Sequence, residues 1–372
     1  MKKSKSIVRA ISFLIAGGIF SCILLAVVIY ASNQNLPEGP VFTDEIDWVD
    51  KTRLAETLHL KTELGESVWP GWGQMDIPVL LWHQDNNFLV GVDSPPAGWE
   101  VVSNDTFQGE TYYRNPQIDP ENFAMLIGDQ WVASMATKGE TDLFLRQVFQ
   151  DLLPSPFDQL IPYRLLIQPS EVQISAVLHE SFHVYQARES AGNFERAENV
   201  YPDGERYWKL DVEMRNDWET EIGLLLEASN ANAEGDVISA TRKFLDQRDQ
   251  RRSQFNLDSD LIDYERRFEW LEGLAKYVEL SIWEQASLSA DYRPLSEMSA
   301  DPDFKGYDTF KSRWNREIQQ TKTQAHKEGD VRFYYTGMLQ ARLLDRLMPN
   351  WKNRIMGEDV FLEDLLRQAV SR

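Results

Sequence analysis

Residues Ala176–Gln186 read A-V-L-H-E-S-F-H-V-Y-Q and contain H-E-x-x-H as His179, Glu180 and His183. This spacing constrains the fold more than any other stretch, because it has chemical meaning only on a helix. Side chains four apart on a helix stand one above the other, so both imidazoles can reach a single metal ion. Glu180 lies one residue on, about 100° round the helix. Its carboxylate is thereby placed beside such an ion without being a ligand. The neighbouring residues agree with a helix. Ile174, Val177, Leu178, Phe182 and Tyr185 recur at helical spacing. Pro169 precedes the segment, and Ser170 with Gln173 fits an S-x-x-Q capping box. The alternative is two histidines that meet on a helix by accident. With only five His in 372 residues, the metal reading is the stronger one.

The start of the chain has a different texture. Lys2, Lys3, Lys5 and Arg9 precede an uncharged, mostly apolar run of 22 residues from Ala10 to Ala31. Such a run is long enough to cross a bilayer and longer than the apolar part of a usual cleaved signal. Residues 1–31 are therefore expected to be a cytoplasmic basic stub and an uncleaved transmembrane signal-anchor. The basic flank places the N-terminus in the cytoplasm and everything after Ala31 on the periplasmic or extracellular side. Secretion after cleavage near Ala31 is the alternative. Cys22, the only cysteine, falls inside this run. The remainder then has no disulfide and no thiol chemistry, and any catalysis must use metal, carboxylate, hydroxyl or histidine. The net charge of −21 disfavours nucleic acid and anionic membrane surfaces as partners.

Further along, residues 32–66 read as a polar stalk with a helical look near Thr52–Leu60. Residues 67–140 read as a β-rich region. Short apolar or β-branched runs at Val79–Trp82, Phe88–Val92, Trp99–Val102, Thr111–Tyr113 and Phe123–Ile127 are set off by turn signals, which predicts a small antiparallel sheet. Residues 141–372 read as mainly helical. Leu143–Leu153 is apolar at helical spacing and stops at Pro154. Asn193–Trp218 is rich in charge and aromatics and suits either a lid over a cleft or a plain surface excursion. Gly235–Phe255 is so strongly charged that a solvent-facing helix is expected.

H-E-x-x-H supplies two ligands, and a catalytic zinc normally takes three from the protein. No histidine lies between Ala187 and Gly192, and His326 is far downstream in a polar stretch. A carboxylate is the better third ligand. In Phe268–Leu280, the residues Phe268, Leu271, Ala275 and Val278 form one helical stripe. Glu272 lies on its edge, Glu279 falls near the same face, and Glu269 points further toward solvent. A carboxylate beside an apolar face needs a partner. That partner is either a metal or an ordinary Lys or Arg. Gly273 would let another backbone approach closely.

The stretch Trp270-Leu271-Glu272-Gly273-Leu274-Ala275-Lys276-Tyr277-Val278-Glu279 resembles the W-L-x-E-G-x-A-x-Y-x-E segment of gluzincin metallopeptidases. It is one residue shorter between Leu and Glu. The similarity is to the aminopeptidase N-like and glycyl-aminopeptidase families. Tyr334-Tyr335-Thr336-Gly337 is similar to their Y-x-x-G segment. The resemblance implies Zn²⁺ as cofactor, held by His179, His183 and Glu272, with Glu180 as the base that activates water. It implies that Tyr334 stabilises the transition state, with Tyr335 as the fallback. Glu279 is a candidate for orienting a ligand from behind, and Glu269 is the alternative carboxylate. The implied substrate is a peptide or protein. Two departures matter. Between His183 and Glu272 stand 88 residues, far more than in those families, and no G-x-M-E-N segment is present, so aminopeptidase specificity is not inherited. The whole reading is an α+β chain: an N-terminal transmembrane helix, a small antiparallel β region, then a mainly helical zincin-like catalytic domain. An inactive relative serving as a binding or scaffold module, and a zinc hydrolase of a non-peptide amide or ester, are the alternatives.

Overall fold

A computed structural model of the chain describes residues 24–34, 36, 43–155 and 157–371. Helix α1 covers residues 24–33. Asp47 caps α2 (Trp48–Val68) by accepting the Val49 amide at 2.8 Å. Six strands follow: β1 (Val79–His83), β2 (Asn86–Val90), β3 (Glu100–Val101), β4 (Tyr113–Arg114), β5 (Phe123–Ile127) and β6 (Gln130–Ala136). The rest is helical: α3 (Lys138–Leu152), α4 (Ser170–Glu189), α5 (Ala191–Asn199), α6 (Gly204–Asn230), α7 (Glu234–Gln254) and α8 (Ser259–Phe268). One π-helical turn, Glu269–Gly273, joins α8 to α9 (Leu274–Leu288). Then come α10 (Phe310–Thr323), α11 (Val331–Leu347), α12 (Lys352–Ile355) and α13 (Leu362–Val370).

The expected fold class needs two corrections. The sheet is mixed, not antiparallel. Its strand order is β3-β4-β2-β1-β6-β5, and β1 pairs antiparallel with β2 but parallel with β6, Val79 facing Ala133. The chain adds β4 and β3 beyond β2, then crosses back and lays the β5–β6 hairpin against the other side of β1. A hairpin that arrives by crossover is free to pair in either direction. Second, among the described residues no helix is long and apolar enough to cross a membrane. α1 offers ten described residues, roughly 15 Å at the usual rise, against about 30 Å of bilayer core. The rest of the expected span, residues 10–23, lies outside the described residues. The molecule is thus mainly helical with one small mixed sheet.

The segment read as a stalk contains α2, which buries Leu54, Leu60 and Val68 and packs along α4 and α9. α4 is the centre of the fold. β5 and β6 cover one side, and α2 and α9 cover others. Sixteen of its twenty residues are buried, so it has no solvent face to make it amphipathic. Phe182 meets Trp69 edge-on at 4.8 Å, and the Trp72 indole donates to Ser181 Oγ at 3.1 Å. The expected capping box does not form. Ser170 Oγ donates to Asp301 at 2.6 Å, and the Gln173 amide donates to the Ala136 carbonyl. Both side chains fasten α4 to its neighbours instead of to its own first turn.

α7 corrects another expectation. Its charge does not all face solvent: Arg248, Arg251 and Arg252 are buried. Arg248 donates to Glu221, Glu269 and Glu363 at 2.6–3.0 Å. Arg251 joins Glu221 to Glu265, and Arg252 joins Glu265 to Glu363. The acids come from α6, α8, the π turn and α13, so one ionic lattice ties four elements to α7. Burial unaided would raise the Glu363 carboxyl, but Arg252 and Arg248 hold it down at about 2. A carboxyl depressed in the folded state stabilises above its unfolded pKa and loses that contribution as pH falls toward the folded value. For Glu363 the contribution is on the order of 3 kcal/mol. Stability measured by denaturant titration should therefore be level from neutral pH to about 5 and fall steeply between about 4 and 2. A Glu363→Gln variant should start lower and show a shallower acid decline; an unchanged acid limb would contradict the assignment.

Candidate metal centre

α4 carries His179, Glu180 and His183 on successive turns of a helix that is walled in on every side. The π turn carries Glu272 to meet them. Its Oε2 lies 3.2 Å from His179 Nε2 and 3.3 Å from His183 Nε2. These three residues form a buried group that could hold a metal ion.

The hydrogen bonds behind the imidazoles fix which nitrogens face inward. Gln186, on α4 three residues past His183, donates from Nε2 to the Trp270 and Leu271 carbonyls at 2.9 and 3.1 Å. Its Oε1 can only accept, so at 2.8 Å His183 Nδ1 must be the N–H. His183 Nε2 is thereby turned toward Glu272 Oε2, 3.3 Å away. His179 is set the same way: Nδ1 faces Glu279 Oε2 at 3.3 Å, which turns Nε2 toward Glu272. Glu279 is itself held by Lys276 Nζ at 2.9 Å and Arg313 at 3.2 Å.

The buried charges of the centre act strongly on one another. Burial alone would lower the His179 imidazole, but Glu272 and Glu279 reverse this and raise it to about 10. Burial would raise the Glu272 carboxyl, yet His183 and His179 hold it well below the usual range. Burial raises the Glu180 carboxyl to about 7, against the lowering pull of His179 and His183. Glu180 Oε2 is buried and has no hydrogen-bond partner.

Tyr334 and Tyr335 separate. Tyr334 stacks on the His179 ring, centroids 5.7 Å apart and planes 13° off parallel. Burial and the nearby Glu272 charge push its phenol well above the ordinary value, so it stays protonated. Tyr335 faces away: its phenol is coupled to Glu317, and its ring lies 6.0 Å from Lys276 Nζ. Glu269 is not turned to solvent, as a regular helical wheel implied. It is 1% exposed and bound by Arg248 and by Thr336 Oγ1 at 2.6 Å. The π turn breaks the regular spacing on which that wheel depends. His326 lies outside the centre, exposed and 3.5 Å from Glu219.

α11 is placed by a glycine contact. A Cβ on Gly273 would stand 2.5 Å from Gly337 Cα, and a Cβ on Gly337 would stand 2.5 Å from the Glu269 carbonyl oxygen. Only two bare backbones fit, and that closeness brings Tyr334 to Glu272. Gly273→Ala should cost about 1–3 kcal/mol by overpacking, measured as a shift in denaturant midpoint, and should weaken metal binding by displacing Glu272. A stable variant with unaltered metal affinity would show that the contact is not needed.

Two contributors had little sequence signal. Gln186 could have been found as an amide one turn beyond His183 on the same face. Phe123 of β5, whose ring centroid is 4.6 Å from that of His183, could not. Asn193–Trp218 covers most of α5, a short turn at Tyr201–Asp203 and the first half of α6 and a little beyond. A cavity of about 770 Å³ lies elsewhere, between α2 and α3. In comparisons with known protein families, curated proteins and solved structures, nothing matches the chain.

Proposed function

We propose that the centre binds zinc and that the protein is a zinc-dependent peptidase. The observation that carries this reading is the pairing of Glu180, buried with one oxygen unbound, with three donor atoms that converge beside it. His179 Nε2, His183 Nε2 and Glu272 Oε2 would hold the ion. The two His–Glu separations are 3.2 and 3.3 Å, and all three donor atoms lie within 4.8 Å of one another, close enough to share one ion. Two nitrogens and one carboxylate, with the imidazoles held from behind by Glu279 and Gln186, suit zinc better than calcium or magnesium, which prefer oxygen.

Zinc, when bound, supplies Lewis acidity at neutral pH. The chain supplies the rest. Glu180 takes a proton from the attacking water and passes it to the leaving amine, for which a carboxyl raised by burial is well matched. The Tyr334 phenol, kept protonated by its surroundings, donates to the oxygen on which negative charge develops. Glu279, Lys276 and Arg313 hold His179 in place, and Gln186 holds His183. Peptides are favoured as substrates by the resemblance of the Glu272 segment; an inert scaffold would have no reason to bury the Glu180 carboxyl without a side-chain or backbone partner for Oε2.

Incubating the full chain with a peptide library tests this. Cleavage should appear, stop with a chelator and return with zinc. Cleavage of amide or ester reporters but of no peptide would move the substrate class; no hydrolysis of any kind by zinc-loaded protein would remove the enzymatic reading. With the Glu180 carboxyl raised by burial, activity of the zinc-loaded protein should fall on the acid side as that group is protonated, read from the pH profile of kcat.

A further inference from the structure

Exposed apolar side chains are not scattered over this molecule. Among the described residues, nineteen large hydrophobic side chains are exposed, and twelve of them lie in two segments, 24–30 and 144–165. Phe144, Leu152, Phe157 and Leu165 are 60%, 68%, 59% and 81% exposed. The two segments are tied together: the Asn33 side-chain amide, buried at the end of α1, donates to the Gln159 and Ile161 carbonyls at 3.0 and 2.8 Å.

α3 is unusual in the same region. It is a 15-residue helix with Leu143, Phe144, Leu145, Val148, Phe149 and Leu152, yet Lys138 is its one buried residue. Its inner side overlooks the cavity of about 770 Å³, which Leu143 and Leu145 line with Tyr163 and Leu166. A helix of this length gains most of its stability from burying an apolar face. None of its apolar residues is fully buried: Leu143, Leu145 and Phe149 are half-buried, and Phe144, Val148 and Leu152 are exposed. Contiguous apolar surface of that kind marks a contact with a partner or a membrane.

We propose that α3 and the exposed apolar residues from Leu153 to Leu165 rest on the surface of a lipid bilayer. Two observations select lipid over a second protein. α1, with Leu24, Leu25, Val27 and Val28 exposed, is fastened to this face through Asn33, so its apolar residues belong to the same side of the molecule. The net charge of −21 opposes both a second copy of the chain and an anionic surface, which leaves an uncharged apolar contact as the favourable one. Phe, Leu and Tyr with an interrupted, proline-punctuated path suit the headgroup–acyl boundary, where apolar side chains sink roughly 5–10 Å. The contact is hydrophobic and so persists in high salt. The proposal concerns the folded face alone and is independent of the metal centre.

Site-directed spin labelling of the full chain tests it. A nitroxide is placed at Leu152→Cys, and for comparison at Val212→Cys on α6, each with Cys22→Ser, with and without zwitterionic phosphatidylcholine vesicles. With vesicles, the label at 152 should gain collisions with oxygen and lose collisions with a water-soluble nickel chelate, while the label at 212 stays unchanged. Phe144→Glu with Leu165→Glu should lower the nickel protection at 152 about tenfold or more at unaltered helical content. A label at 152 that remains open to nickel on vesicle-bound protein overturns the proposal. So does protection that appears without vesicles and grows with protein concentration, which would make this face an interface between copies.

Discussion

Replacing Glu180 by Gln should lower peptide hydrolysis by about a hundred- to ten-thousand-fold while zinc content stays at the wild-type level. The size follows from the role. A positioned general base contributes about 10²–10⁴ in rate, and Gln keeps the shape of the side chain but cannot take a proton. The site offers no evident substitute. Glu272 faces both imidazoles, Glu279 is engaged by His179, Lys276 and Arg313, and Tyr334 stays protonated. Because Glu180 is not among the three converging donors, metal retention should not change. The effect should fall on kcat, since the lost proton transfer belongs to the transition state. Turnover that survives in Glu180→Gln would mean that another group moves the proton.

Arg248→Met should destabilise the protein by about 3–5 kcal/mol, the cost of removing one member of a buried ionic group. Arg248 is fully buried and donates to Glu221, Glu269 and Glu363. Met preserves much of its volume but leaves three carboxylates short of a partner. Arg251 and Arg252 still reach Glu221 and Glu363; Glu269 keeps only Thr336. Glu269 belongs to the same π turn as Glu272, so the variant should also bind zinc more weakly. A denaturant titration reads the first effect and a competitive chelator the second. A loss under about 1 kcal/mol would place this lattice with exposed ion pairs, contrary to its burial.

These two predictions also mark what could be read from the chain alone. His179, Glu180 and His183 announce their geometry because four-residue spacing has one structural meaning on a helix. Glu272 is legible through its neighbours, from Trp270 to Glu279. The Arg248 lattice is not. Its partners lie 21 to 115 residues away in sequence, and a run of charges carries no sign of whether it pairs inward or faces water. The π turn hides for a similar reason: a wheel drawn with regular spacing sends Glu269 to solvent, and only the packing of Thr336 and Arg248 against it shows otherwise. β6 leaves little mark in the sequence, because Gln130–Ala136 lacks β-branched enrichment and clean alternation; it is a strand because β1 and β5 flank it. Ser170 and Gln173 fit a local capping pattern, but Asp301 and the Ala136 carbonyl compete for them and win.

The proposed chemistry depends on a metal between His179, His183 and Glu272. Metal analysis of the purified full chain, equilibrated against a zinc buffer and then desalted, tests this most directly. One zinc per chain is expected, falling to a small fraction of that in Glu272→Ala at unchanged secondary structure. A wild-type chain that retains no stoichiometric metal, or a Glu272→Ala chain that retains as much as wild type, would contradict the account.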